Sequence, residues 1–291
     1  MRQTWPVMRT YLDHAATTPM VPEAVEAMTR ELTRVGNASS LHGSGRAARR
    51  IVEESREAIA ARVGARPAEV IFTSGGTEAD NLAVKGGYWS RVAKGRDGVV
   101  TSTIEHPAVL DSVEWLAQDE GAKVELVGVD RVGRIDLARL AEAVTETTAV
   151  VSVMWANNEV GTVQPVAEIA GLARDRGAIS HSDAVQAVGH LPVDFAASGL
   201  DLLTFTAHKL GGPYGIGALL ARRDIVLTTV QHGGRQERDV RSGTLDVAAV
   251  AGFAAAVDLA VGRQVIETAR MQALREQLVA EVRAAVPDAQ L

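Results

Sequence analysis

The chain has no cysteine among its 291 residues, which excludes disulfides and thiolate metal sites within it. No stretch reaches about 18 consecutive apolar residues, so no membrane span is expected. No basic run is present either. The formal net charge is -6, from 30 Lys+Arg against 36 Asp+Glu, which argues against nucleic-acid binding. Residues 1–10 hold two arginines but no apolar core, so they do not form a secretory signal, and Met8 is an alternative start. The seven histidines show no HExxH or comparable ligand spacing. Tandem repeats, low-complexity linkers and heptad arrays are lacking too. These absences lead us to expect a soluble cytoplasmic protein.

What is present is an ordinary globular composition, 46% hydrophobic and 23% charged. The length suits one large domain, or a domain with a smaller appendage. Apolar runs alternate with amphipathic segments, the pattern of a mostly parallel sheet wrapped by helices. Strands are expected at Glu69–Thr73, Gly98–Thr103, Lys123–Val129, Ala149–Trp155, Ala178–Asp183 and Leu202–Ala207. A further strand, Gly217–Ala221, should run antiparallel, because only a short glycine loop joins it to its predecessor. Helices are expected to start at Thr77 and at Pro107, to follow an Asp136 cap through Val144, and to cover Pro165–Arg176. Two more are expected at Val247–Val261 and Gln264–Val286, with a domain change near Val261–Gly262.

Polar groups gather where these strands end. Lys209 follows an apolar strand and precedes a glycine-rich loop, at the strand ends where open α/β sheets bind ligands. Partial desolvation there lowers an amine's pKa and frees it for imine chemistry, whereas taken alone the residue also reads as an ordinary surface lysine. Gly75-Gly76-Thr77 closes a strand and opens a helix, which makes either a phosphate cradle or a capped turn. His106 can stack on a planar ring, move protons, or simply sit at a helix start. Asn157 and Asn158 either contact a ligand or hold a turn. Asp183 can pair with a pyridine nitrogen, with Gln186 nearby, or cap a helix. A metal held by His181 and Asp183 is a weaker alternative. Taken together, the cradle, imidazole, carboxylate and lysine form the set of partners that pyridoxal 5′-phosphate (PLP) requires.

The same residues fall within longer matching segments: Tyr11–Pro19, Gly36–His42, Phe72–Ala83, Glu105-His106, Asn157–Gly161, His181–Gln186, His208-Lys209 and Arg241–Thr244. In these segments the chain resembles the class-V aminotransferase superfamily, and within it the cysteine desulfurases of the NifS/IscS type. The resemblance implies an α/β fold, the PLP-dependent fold type I. Its seven-stranded, mixed, mostly parallel sheet carries helices on both faces. Residues 20–261 would form the large domain, with 1–19 and 262–291 belonging to an incomplete small α/β domain. It further implies that Lys209 carries PLP and that His106 stacks on the ring and moves protons. Asp183 would pair with the ring nitrogen, while Gln186 and Asn158 contact the phenolic oxygen or the substrate carboxylate. Gly76, Thr77, Thr206 and His208 would hold the phosphate. Thr244 would reach the phosphate of a partner subunit in a homodimer. The implied substrate is L-cysteine, and the implied partner is an iron–sulfur scaffold or another sulfur acceptor, including one for tRNA thiolation.

Three departures stand out. Thr206 occupies a position where serine is usual, and Arg235 one where glycine is usual. The third is the lack of a downstream cysteine: 82 residues follow Lys209 (291 minus 209), none of them cysteine. Termination at Leu291 is therefore read as the mark of a fragment. Two other readings stay open, namely a selenocysteine lyase or other PLP lyase or aminotransferase of the same superfamily, and a non-catalytic PLP-binding scaffold.

Overall fold

A computed structural model describes residues 10–289. Residues 1–9 and 290–291, and with them Met8 and the outer ends of the segments assigned to a small domain, lie outside the described residues. Seven strands form one sheet in the order β1-β7-β6-β5-β4-β2-β3. They are β1 (Val70–Thr73), β2 (Gly98–Ser102), β3 (Lys123–Val127), β4 (Thr148–Ser152), β5 (Ile179–Asp183), β6 (Leu202–Thr206) and β7 (Gly217–Ala221). The β2, β4, β5 and β6 strands are buried at every residue, as expected of a parallel sheet covered on both faces. β3 lies at the sheet edge and exposes Lys123 and Glu125, charges that blunt an open edge.

β7 is antiparallel to both its neighbours, β6 and β1. Two reversals make β1 parallel to β6, so the loop after β1 emerges on the same side as the loop after β6. The loops after β2, β4 and β5 emerge there too, because those strands pair in parallel with one another and with β6. The topology thus brings Gly76, His106, Asn158, Asp183 and Lys209 to one rim.

Alternating side chains feed two opposed cores. Val70 and Phe72 join Leu203, Phe205 and Phe253 on one face, whereas Ile71 joins Leu202, Val109 and Leu116 on the other. The first face is covered by α1 (Pro22–Leu32), α2 (Gly43–Arg62) and the start of α9 (Val247–Ala285), with the Phe205 and Phe253 rings 5.3 Å apart. On the second face, α3 (Gly76–Asn81) passes through a π-helical turn, Leu82–Gly86, into α4 (Gly87–Val92). It packs beside α5 (Pro107–Asp119). Asp136 caps α6 (Leu137–Ala143), its carboxylate accepting the Ala138 and Arg139 N–H groups. α7 (Val166–Asp175) and the short α8 (Phe195–Ser198) complete the helices.

The two helices expected on either side of Val261–Gly262 are one continuous helix, α9. A single glycine costs a helix about 1 kcal/mol, too little to break one with good helix formers on both sides. The surroundings of α9 do change near that point. Phe253, Ala256 and Val257 are buried, whereas Val265, Ile266, Leu274 and Leu278 are exposed. The first part of α9 is apolar enough to cross a membrane by composition, but here it packs into the core. The Ala149–Trp155 expectation is too long. β4 ends at Ser152, although Trp155 still donates its N–H to the Asp183 carbonyl at 2.8 Å.

Candidate active site

A cavity of about 570 Å³ opens at the rim where the strands end. Lys209 lies one short turn beyond β6, at the end of Ala207–Lys209. Its Nζ donates to the Ala15 carbonyl, and Gln186 Nε2 donates to the same oxygen at 3.0 Å. Residues 13–18 therefore pass over the cavity, with Thr18 N–H donating to the His208 carbonyl at 3.0 Å. Burial lowers the Lys209 pKa, while the Asp183 and Asp13 carboxylates pull it back.

Asp183 is the last residue of β5, buried, with Oδ1 accepting the Val185 N–H at 2.8 Å. Beside it, α3 supplies Asp80, whose Oδ1 has no hydrogen-bond partner among the described residues. Desolvation raises the pKa of both carboxyls, and that of Asp80 goes well above the ordinary range, helped by the charge of Asp183. The Val185 N–H, His106 and Lys209 all oppose the rise at Asp183. Of the two, Asp183 is the one with these neighbours to favour its charged form. Sequence alone assigns no role to Asp80, although it lies in the matching segment Phe72–Ala83, three residues beyond Thr77 and one turn into the same helix.

His106 caps α5, its Nδ1 accepting the Ala108 N–H at 3.1 Å. That bond assigns the ring proton to Nε2. His106, Asp80 and Asp183 place ligand-type atoms within 4.8 Å of one another. Metal ligation through Nε2 would require the other tautomer and would cost the helix cap, so the arrangement suits proton chemistry better than a cation. His181 does not line the cavity, although its Nε2 lies 3.6 Å from Asp80 Oδ1. Ser152 Oγ lies 2.8 Å from its Nδ1 and Thr204 Oγ1 lies 3.1 Å from its Nε2, and burial depresses its pKa to about 3. The ring is a neutral strut inside the sheet, which overturns the His181–Asp183 metal reading.

Asn157 and Asn158 divide the two roles left open for them. Asn157 holds the turn, donating to the Ile104 carbonyl and accepting the Glu159 and Val160 N–H groups. Asn158 lines the cavity. So do Gly76, Thr77, Thr206 and His208, around the start of α3. Gly75 has φ 155°, a conformation nearly restricted to glycine. A Cβ on Gly76 would come within 3.1 Å of Val185. The Thr206 hydroxyl donates to the Ile216 carbonyl at 3.0 Å, which fixes the threonine found in place of serine. Thr244 is exposed and does not line the cavity of its own chain. Arg235 adopts φ 58°, as do Arg238 and Asp239 nearly (54° and 60°). This left-handed backbone accounts for the usual glycine and costs an arginine about 1–2 kcal/mol.

Glu105, directly before His106 and part of the same matching segment, is the second residue to which sequence alone assigns no role. It is buried, with Oε1 accepting from Ser102 Oγ and from the Met154 N–H. Its Oε2 is unpartnered among the described residues, and burial pushes its pKa up to about 8. The folded chain therefore keeps a proton that the unfolded chain releases near pH 4.5. Native Glu105 binds more protons throughout that window, so its contribution to stability falls as pH rises from about 4.5 to 8. Glu105→Gln mimics the protonated form, and its stability relative to the parent should rise steadily from pH 5 to pH 8. Urea unfolding midpoints measured across that range check this, and a difference that stays flat with pH would contradict a protonated Glu105.

The class-V aminotransferase family profile matches residues 10–290. The chain belongs to that family. It is 54% identical to an IscS-like cysteine desulfurase of Mycobacterium tuberculosis, over 96% of this chain and 72% of that protein. It is 42% identical to the cysteine desulfurase IscS of Dictyoglomus turgidum, over 97% of this chain and 71% of the relative. The structure of a NifS-like protein superposes with a TM-score of 0.91 at 36% identity, covering 95% of this chain and 76% of that one. DndA from Streptomyces lividans superposes at 0.84 with 38% identity, covering 94% of this chain and 78% of that one. This family member thus has the mixed seven-stranded fold of the NifS-like proteins, and it spans roughly three quarters of their length.

Proposed function

We propose that this chain holds PLP in the rim cavity and carries out cysteine desulfurase chemistry on L-cysteine, in the cytoplasm and as a homodimer. The observation that carries the proposal is the meeting of three groups in one cavity: a partly desolvated Lys209 amine, the buried Asp183 carboxylate and the Nε2-protonated His106. The donor set also fits the cofactor's two ends. An anionic phosphate suits the Gly76–Thr77 helix start with the Thr206 and His208 side chains beside it. A pyridine nitrogen suits Asp183, the carboxyl of the buried pair that lines the cavity at a strand end with His106 and Lys209 favouring its charged form.

When bound, PLP would act as an electron sink that acidifies the Cα–H of the substrate. The protein's residues supply the rest. Lys209, its amine favoured in neutral form by burial, would accept the Cα proton at Nζ and return it. His106 would hold a proton at Nε2 within the cavity. Asn158 and Gln186 would orient the substrate end, with residues 13–18 shielding the amine from water. Overall, an acceptor thiol takes sulfur as a persulfide while the Cβ–S bond of cysteine breaks and Cβ gains hydrogen, giving L-alanine. The accepting thiol comes from outside residues 1–291, which hold no cysteine. An iron–sulfur scaffold or other sulfur-acceptor protein fits that role, and Thr244 is assigned to the cavity of the partner subunit.

Incubating the purified chain with PLP, L-cysteine and a small thiol tests this reading. Alanine with persulfide or sulfide is expected. Pyruvate or an amino-transfer product would favour the lyase or aminotransferase alternatives, and cofactor binding without turnover would leave a scaffold.

A further inference from the structure

The start of α3 carries an anomaly. Glu78 puts a carboxylate in the first helical turn, one residue from Thr77, where the reading above seats a phosphate. Two like charges should not share that position unless the carboxylate has other work. Its partners show what that work is. Glu78 Oε2 accepts the Ser74 N–H, closing the strand–helix turn over Gly75. Arg241 grips the same carboxylate through Nε at 2.8 Å and Nη2 at 3.3 Å, with both side chains largely buried. Arg241 comes from the loop after β7, more than 160 residues away in sequence.

That turn is braced from two further directions. Thr73 Oγ1 donates to the Gly75 carbonyl at 2.9 Å. On the other side, a Cβ on Gly217 would lie only 2.8 Å from the Gly75 carbonyl carbon, so β7 packs directly on the turn. Within the helix the first internal bond is Ala79 N–H to the Gly75 carbonyl, which leaves the Gly76 and Thr77 N–H groups without helical partners.

We propose that Glu78, clamped by Arg241, is a positioning residue that holds the Ser74–Thr77 turn in its phosphate-binding shape. The inference rests on the PLP reading and adds to it a specific pair of residues. The carboxylate stays ionised, since Arg241 and the Ser74 N–H outweigh the effect of burial on its pKa. Its charge is neutralised by a neighbouring guanidinium rather than turned toward the ligand.

Charge and positioning predict opposite signs, which makes the test decisive. By Coulomb repulsion alone, Glu78→Gln should tighten phosphate binding. If Glu78 positions the turn, the same change should weaken it. The experiment measures equilibrium binding of PLP and of pyridoxal, which lacks the phosphate, to the parent chain, Glu78→Gln, Arg241→Gln and the double variant. Each single variant is expected to lose about tenfold or more in PLP affinity while pyridoxal changes less than about twofold. The double variant should be no worse than the poorer single, because the two residues act as a unit. Tighter PLP binding by Glu78→Gln, or equal loss for both ligands, would overturn the proposal. A parent that does not prefer PLP to pyridoxal would instead overturn the phosphate reading beneath it, and this inference with it. Thermal melting checks folding of each variant. If Glu78→Gln does not fold, Arg241→Lys keeps the charge but loses the forked grip, and the same loss of phosphate preference is expected.

Discussion

Lys209→Ala is expected to lose the visible absorbance of lysine-bound cofactor and essentially all turnover of L-cysteine. The proton-transfer role alone is worth about 10²–10⁴-fold, and loss of covalent attachment adds to it. The fold should survive. Lys209 is half-buried at the rim, and its one side-chain hydrogen bond among the described residues, to the Ala15 carbonyl, belongs to the segment over the cavity rather than to the core. The variant should therefore melt close to the parent. Absorbance spectra and alanine release measured on the same preparations check the prediction. A visible band that persists in Lys209→Ala would remove the lysine from its assigned role.

The largest effect on stability is expected far from the cavity, at Glu237. Its carboxylate accepts both Arg56 Nη atoms, at 2.9 and 2.7 Å, and the Phe72 N–H at 2.8 Å. Arg56 Nη1 also donates to the Val70 carbonyl at 2.6 Å. Both side chains are almost wholly buried. The pair ties α2, β1 and the loop that carries Arg241 into one body. Glu237→Gln leaves the buried Arg56 guanidinium with only the half-exposed Glu53 carboxylate, 3.3 Å from Nε, as counter-ion, which costs about 3 kcal/mol. Removing both charges, as in Arg56→Met with Glu237→Met, should cost less than the sum of the single changes. Urea unfolding of the single and double variants decides the point. A loss below about 1 kcal/mol for Glu237→Gln would mean that water or backbone groups already solvate Arg56.

Much of the architecture was legible because buried strands announce themselves as short β-branched runs between polar turns. β7 was expected at Gly217–Ala221 and is found there, antiparallel as a short glycine loop demands. The polar residues after the strands were legible for the same reason, since a charged group just beyond an apolar strand can only sit at a sheet rim. Helix continuity was harder to read. Gly262 looked like a boundary, yet a glycine in mid-helix is a small penalty that context overrides. α1 and α2, which precede the first expected strand, were not assigned at all.

The residues that escaped notice share one physical feature. Asp80, Glu105 and Glu237 are charged side chains in sequences that also suit a solvated helix or loop, and only burial gives them their roles. A carboxyl's pKa depends on distance to water and to other charges, quantities that local sequence does not encode. The sequence by itself determined the strand pattern, the chain order of the polar groups and the family, because these depend on residue type and near-neighbour spacing. Tertiary structure alone decided that Asp80 is buried beside Asp183, that His181 is locked inside the sheet and which arginine neutralises Glu78. Those outcomes depend on segments that meet only after the sheet has closed, 163 residues apart for Glu78 and Arg241.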